Sequence, residues 1–207
     1  MTHILHIDSS PRGERSFSRR FSNEFVKLWQ KINPDTQVTY RDLGHNPVPH
    51  VTEEWIASVF TPPEARTPEL AKAIELSDSL VDEFLTADRY VIGVPMYNLN
   101  VPSTFKAYID QIIRAGRTFS VTEQGSFEGL VKGKKMLIVT ARGGSFAPDS
   151  PTALSDYQEP YLRAVFEFIG INNISFIHLE NLAAGDAFKE NAVVKASEKI
   201  TQLVDNW

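Results

Sequence analysis

The sequence predicts an α/β protein built as a three-layer sandwich, a five-stranded parallel sheet with helices on both faces. Two observations carry this. Short apolar runs such as Ile4–Ile7 and Tyr90–Val94 lack polar alternation, as strands buried on both faces do. Between them lie longer stretches whose apolar residues recur every third or fourth position, the stripe of a helix with one face on a core.

In chain order, strand Ile4–Ile7 ends at Asp8-Ser9-Ser10-Pro11. Phe17, Phe21, Phe25, Leu28 and Ile32 then form a helix stripe, ended by Asn33-Pro34-Asp35. Gln37–Arg41 alternates polar and β-prone residues, like a strand near an edge. Residues 44–68 hold five of the twelve prolines and read as an excursion from the core fold. Within it Thr52 is a plausible N-cap for a short helix reaching Phe60, with Glu53 and Glu54 favourable in its first turn. Thr67-Pro68 starts the next helix, threonine at the cap and proline at the first helical position. After strand Tyr90–Val94 a helix runs from about Pro102. Met136–Thr140 is a fourth strand, Tyr161 to Ile169 a helix, Ile174–Leu179 a fifth strand and Phe188–Val204 a last helix. A length of 207 residues suits a single domain spanning 1–207.

Composition removes several function classes. There is no cysteine, so disulfides, thiolate catalysis and cysteine-held metals are out, and a reducing, cytoplasmic compartment fits. The net charge of -5 argues against a nucleic-acid partner. The start has no signal-peptide pattern, and no apolar run is long enough to span a bilayer. The five histidines lack zinc-motif spacing, so no metal is expected.

In a parallel sheet, ligands bind beyond the carboxyl ends of the strands. Three loops there carry the site expectation. The first, Ser9 to Ser18, opens a helix whose N–H groups favour a phosphate, with Ser10, Ser16 and Ser18 adding hydroxyls. It is neither a Walker A loop nor a GxGxxG fingerprint. The second, Pro95 to Ser103, presents Met96, Tyr97, Asn98 and Leu99, which suit a flat ring edged by donors and acceptors. The third, Thr140 to Phe146, has the paired Gly143 and Gly144, which allow close backbone approach. Taken singly, the first and third loops read equally well as an ordinary cap or turn, and the second reads more readily as one. Together they point to a bound mononucleotide.

Several motifs resemble one family. Pro95-Met96-Tyr97-Asn98, Lys106-Ala107-Tyr108-Ile109-Asp110, Arg114-Ala115-Gly116-Arg117-Thr118-Phe119, Arg142-Gly143-Gly144 and the stretch from Gly125 to Lys135 are similar to those of FMN-dependent NADH:quinone oxidoreductases and azoreductases. The resemblance spans nearly the whole chain. It implies a flavodoxin-like fold, FMN as cofactor with NADH or NADPH as co-substrate, quinone or azo acceptors, and a homodimer with the flavin at the interface. It implies phosphate binding by Ser10, Ser16, Phe17 and Ser18. It implies ring binding by Met96, Tyr97, Asn98 and Leu99, and by Ala141, Arg142, Gly143 and Gly144. The family often has phenylalanine at the position of Leu99 and serine at that of Ala141, which bears on acceptor preference. Phe119 and Phe127 are candidates for cover over the ring. No catalytic side chain is expected, because the cofactor does the chemistry. The alternatives are a flavodoxin-type electron carrier and a nucleotide-binding regulatory module without flavin.

Overall fold

The computed structural model describes residues 1–207. Five strands form a parallel sheet: β1 (His3–Asp8), β2 (Gln37–Asp42), β3 (Arg89–Pro95), β6 (Lys135–Ala141) and β7 (Asn173–Leu179). Their order is β2-β1-β3-β6-β7. Strand order reverses between β1 and β3, which makes their carboxyl ends the switch point of a flavodoxin-like sheet.

Period two within each strand divides the core. Leu5, Ile7, Tyr90, Ile92, Met136 and Ile138 face one helix layer. That layer is α3 (Pro68–Thr86), α4 (Ser103–Ile112) and α5 (Glu159–Phe168). The alternate residues Ile4, Val91, Leu137 and Val139 face α1 (Phe17–Ile32) and α6 (Asp186–Val204). Both faces are therefore covered, as the uninterrupted apolar strands require.

The excursion contains α2 (Glu53–Phe60), and Thr52 accepts from the Trp55 amide as its N-cap. Thr67 caps α3 through the Leu70 amide, with Pro68 at the first position. Two short strands leave no mark on the sequence pattern. β4 (Phe119–Val121) and β5 (Phe127–Gly129) form an antiparallel hairpin outside the main sheet. Three residues per strand are too few to show alternation.

The start of α5 carries an ion pair with a pH signature. The His178 Nε2 faces Glu159 Oε2 at 2.8 Å, and Arg163 bonds the same carboxylate. The hydrogen bond from His178 holds Glu159 down at about 2, against the opposing effect of burial. A carboxyl depressed in the folded state adds stability above its unfolded value, lost as pH falls through its folded value. Stability is thus expected to drop between the ordinary 4.5 and about 2. Glu159→Gln should flatten that part of a pH series of melting temperatures. An unchanged slope would remove Glu159 from the acid response.

Candidate active site

A cavity of about 430 Å³ opens at the carboxyl ends of β1, β3 and β6. From the first loop it takes Ser10, Arg12, Ser16 and Phe17; from the second Pro95, Met96 and Tyr97; from the third Ala141, Arg142 and Gly143. All three sequence-expected loops therefore meet in one place. A fourth wall, Leu182, Ala183 and Lys189, comes from the segment after β7 and from α6.

The phosphate-type end is the start of α1. Ser16 caps this helix, its Oγ 3.5 Å from the Arg19 amide and 3.1 Å from Ser18 Oγ. The amides of Phe17 and Ser18 have no acceptor within the protein. Two unpaired N–H groups at the positive end of a 16-residue helix suit an anion. Ser18 is fully buried and does not line the cavity.

Arg19 holds this loop in place. Its Nε donates to the Ser10 carbonyl at 2.6 Å, and its Nη groups bond Asp42 at the end of β2. Burial works against it, but bonds from Arg19 and His45 keep Asp42 well below the usual carboxylate range. Asp8 lies beneath, accepting from Ser22 Oγ at 2.8 Å and Tyr40 OH at 3.1 Å. Burial pushes the Tyr40 hydroxyl upward, with the Asp8 charge adding to it, so Tyr40 is a donor here.

In the second loop, Asn98 and Leu99 both have positive φ, 48° and 70°. Tyr97 and Asn100 exchange backbone hydrogen bonds around them at 2.8 and 3.1 Å, closing a two-residue turn. Asparagine tolerates this conformation, but a bulky leucine does so at a cost. Tyr97 lines the cavity, while Asn98 and Leu99 are exposed and do not line it, and Asn98 instead lines a neighbouring cavity of about 440 Å³ with Asn100 and Lys106. The Tyr157 amide donates to the Leu99 carbonyl at 3.2 Å, fixing the turn from the other side.

In the third loop, the backbone runs beside residues 179–183. The carbonyls of Arg142, Gly143 and Gly144 accept from Leu182, Ala183 and Asn181. The amides of Gly143 and Gly144 have no partner in the protein. A Cβ on Gly143 would meet only Ala183 Cβ at 3.6 Å, ordinary contact. The fold itself therefore does not demand glycine there. Gly144 lies just beyond the cavity wall, and the Arg142 side chain turns inward, only 2% exposed.

Phe119 and Phe127 do not line this cavity. They pack with Phe168 at centroid separations of 4.8 and 5.4 Å, and Phe127 stays largely exposed. A larger groove of about 670 Å³ lies along α1 and β2, floored by His6, Asp8 and Tyr40. It lies on the β1–β2 side of the sheet and takes no residue from the second or third loop. The smaller cavity is the better candidate because unpaired main-chain donors converge on it from two directions.

The residues present fit an FMN-sized ligand on chemical grounds. Unpaired amides at a helix start match a phosphate. Met96, Tyr97 and Leu182 offer apolar contact, and two free glycine amides match a ring edge rich in acceptors.

A family model described as a flavodoxin-like fold matches residues 2–204. The FMN-dependent NADH:quinone oxidoreductase 2 of Trichormus variabilis is 60% identical over 208 residues, covering 100% of both chains. A protein of that same name from Pseudomonas fluorescens is 40% identical, covering 98% of this chain and 100% of its own. Among solved structures, an azoreductase from Bacillus anthracis superposes with a TM-score of 0.92 at 28% identity, covering 100% of each chain. An FMN-dependent NADH-azoreductase from the same species, in complex with FMN, gives 0.86 at 27% identity, covering 99% of this chain and 100% of that one. With fold, cavity and relatives in agreement, the chain belongs to the flavodoxin-like family of FMN-dependent NADH:quinone oxidoreductases and azoreductases.

Proposed function

We propose that the chain is an FMN-dependent oxidoreductase that uses NADH or NADPH to reduce quinones and azo compounds by two-electron, ping-pong transfer. The observation that carries this reading is that the unpaired amides of Phe17 and Gly143 line one cavity on the switch point, each followed in the chain by a second unpaired amide, at Ser18 and Gly144. FMN, when bound, supplies the hydride chemistry, so no side chain of the protein needs to act as acid or base. Ser10, Ser16, Phe17 and Ser18 hold the phosphate. Met96, Tyr97, Asn98, Leu99, Ala141, Arg142, Gly143 and Gly144 form the ring end, with Gly143 and Gly144 contributing amides and Asn98 and Leu99 in the turn that follows Tyr97.

Anaerobic mixing with NADH tests the activity. The flavin absorbance of the FMN-loaded protein is expected to bleach, and a quinone added next should restore it. A band that stays unchanged would favour the electron-carrier alternative. A protein that never takes up FMN would favour the regulatory module.

Ser16→Ala tests the phosphate end. It removes one hydroxyl and is expected to weaken FMN by about 1 kcal/mol, roughly fivefold, while leaving riboflavin unchanged. Equal losses for both ligands would displace the phosphate from this loop.

A homodimer is part of the proposal. Leu154 is 94% exposed and Tyr157, whose amide bonds the Leu99 carbonyl of the second loop, is 58% exposed, while Phe60 on the excursion is 84% exposed. Large exposed apolar side chains favour a protein partner. A second copy would cover them and close the cavity, with the 44–68 excursion lining it from the partner subunit. Light scattering is expected to give twice the chain mass, and Leu154→Lys with Tyr157→Lys should shift it to the monomer. A monomeric wild type would contradict this. We place the enzyme in the cytoplasm, a reducing compartment that a chain without disulfides fits. No helix is long and apolar enough to cross a membrane.

A further inference from the structure

We propose that Arg142 is a positioning residue whose buried guanidinium clamps the segments after β3, β6 and β7, and so sets the direction of the Gly143 and Gly144 amides. The proposal rests on the FMN reading of the cavity. Arg142 is only 2% exposed. Its Nε donates to Gln158 Oε1 at 3.1 Å, and its Nη1 faces Asp156 Oδ2 at 2.9 Å and Glu180 Oε1 at 3.4 Å.

Each partner passes the hold onward. Gln158 Nε2 donates to the Val94 carbonyl at 3.1 Å, just before Pro95 and Met96. Glu180 accepts from the Phe146 amide at 2.8 Å and from Ser145 Oγ at 2.9 Å. Asp156 accepts from the amides of Gln158 and Glu159 at 2.9 and 3.1 Å, at the start of α5. One cation thus joins the end of β3 to the segments after β6 and β7. The amides of Gly143 and Gly144 share planar peptide groups with the carbonyls of Arg142 and Gly143, which accept from the Leu182 and Ala183 amides. Their direction therefore follows from where residues 181–183 sit, and the clamp fixes that segment through Glu180.

A buried ion cluster is a poor way to gain stability alone, because desolvation cancels much of the attraction. An apolar side chain would fill this space at lower cost. The planar fork of arginine instead gives several donors at fixed angles, which a lysine ammonium lacks. One donor nitrogen, Nη2, has no acceptor in the protein, and the guanidinium lies 5.6 Å from the Phe146 ring centre. The cluster is therefore built around direction rather than full pairing.

The test uses the full chain with Arg142→Lys, Gln158→Leu and Glu180→Gln. Melting temperature is measured first, then affinity for FMN and for riboflavin at a temperature where each variant is folded. Arg142→Lys keeps the charge but loses the fork. It is expected to weaken FMN and riboflavin by the same factor, about tenfold or more, because the misdirected amides serve the ring that both share. The other two variants should show equal losses of smaller size. Saturating FMN should then leave a reduced kcat for NADH, since the ring stays mispositioned. Affinities within a factor of about two of wild type would make Arg142 merely structural and overturn the clamp. A loss confined to FMN would also overturn it, by placing the effect at the phosphate. If Arg142→Lys does not fold, unchanged affinities in Gln158→Leu and Glu180→Gln overturn the clamp in its place. Wild-type protein that binds neither flavin would defeat the FMN reading itself, an outcome visible before any variant is made.

Discussion

Replacing Gly44 with alanine is expected to unseat the loop after β1. The added methyl would lie 2.2 Å from the Ser10 carbonyl oxygen, 2.4 Å from its carbon and 2.6 Å from Arg19 Nη2. The two nearest atoms are backbone and cannot rotate away. Arg19 Nε also holds that carbonyl in place. Overpacking of this kind costs about 1–3 kcal/mol, and the backbone clash puts Gly44→Ala at the upper end. For a chain of this size that lowers Tm by roughly 6–12 °C. The displaced Ser10 should also cost more FMN affinity than riboflavin affinity. A thermal melt and paired titrations check this, and an unchanged Tm would contradict the packing described here.

Gly143→Val separates binding from folding. Its Cβ meets nothing closer than 3.6 Å in the protein, and its φ is not in the left-handed region. Stability is expected to stay within about 0.5 kcal/mol of wild type, as for an open surface position. The ring end would lose close approach to the main chain. An intrusion costing about 1–3 kcal/mol weakens FMN roughly 5- to 150-fold. Riboflavin should weaken by the same factor. Gly144→Val should act in the same direction with a smaller effect, because Gly144 lies beside the cavity wall. Quenching of flavin fluorescence measures both. Unchanged affinity in Gly143→Val would move the ring away from this loop.

Strand and helix positions were legible because each carries a period that burial imposes. Leu5 and Ile7 face one layer while Ile4 faces the other, so an uninterrupted apolar run was the right signal for a strand covered twice. Caps at Thr52 and Thr67 were readable from residue type alone. The β4–β5 hairpin was not, since three residues carry no period.

The cavity walls were legible at the ends of β1, β3 and β6 through the switch-point rule. The same rule drew attention away from the end of β7, where Leu182 and Ala183 line the cavity. The Ala183-Ala184-Gly185 run was the available signal, small residues where a ligand or backbone approaches closely. The positive φ of Asn98 was within reach from residue type, but that of Leu99 was not. Arg142 lines the cavity as its place beside two glycines suggests, but its guanidinium partners Asp156, Gln158 and Glu180 were not legible. Those partners lie 14 to 38 positions downstream, beyond the reach of any local pattern.

The central claim is that one cavity holds a phosphate at the start of α1 and a ring against Gly143 and Gly144. Titrating the wild-type protein with FMN and with riboflavin tests it most directly. Charge-assisted bonds from the Phe17 and Ser18 amides and the serine hydroxyls are worth about 1.5 kcal/mol or more each. FMN is therefore expected to bind at least roughly tenfold more tightly than riboflavin, with the difference shrinking as salt is added. Equal affinity for the two would contradict the account.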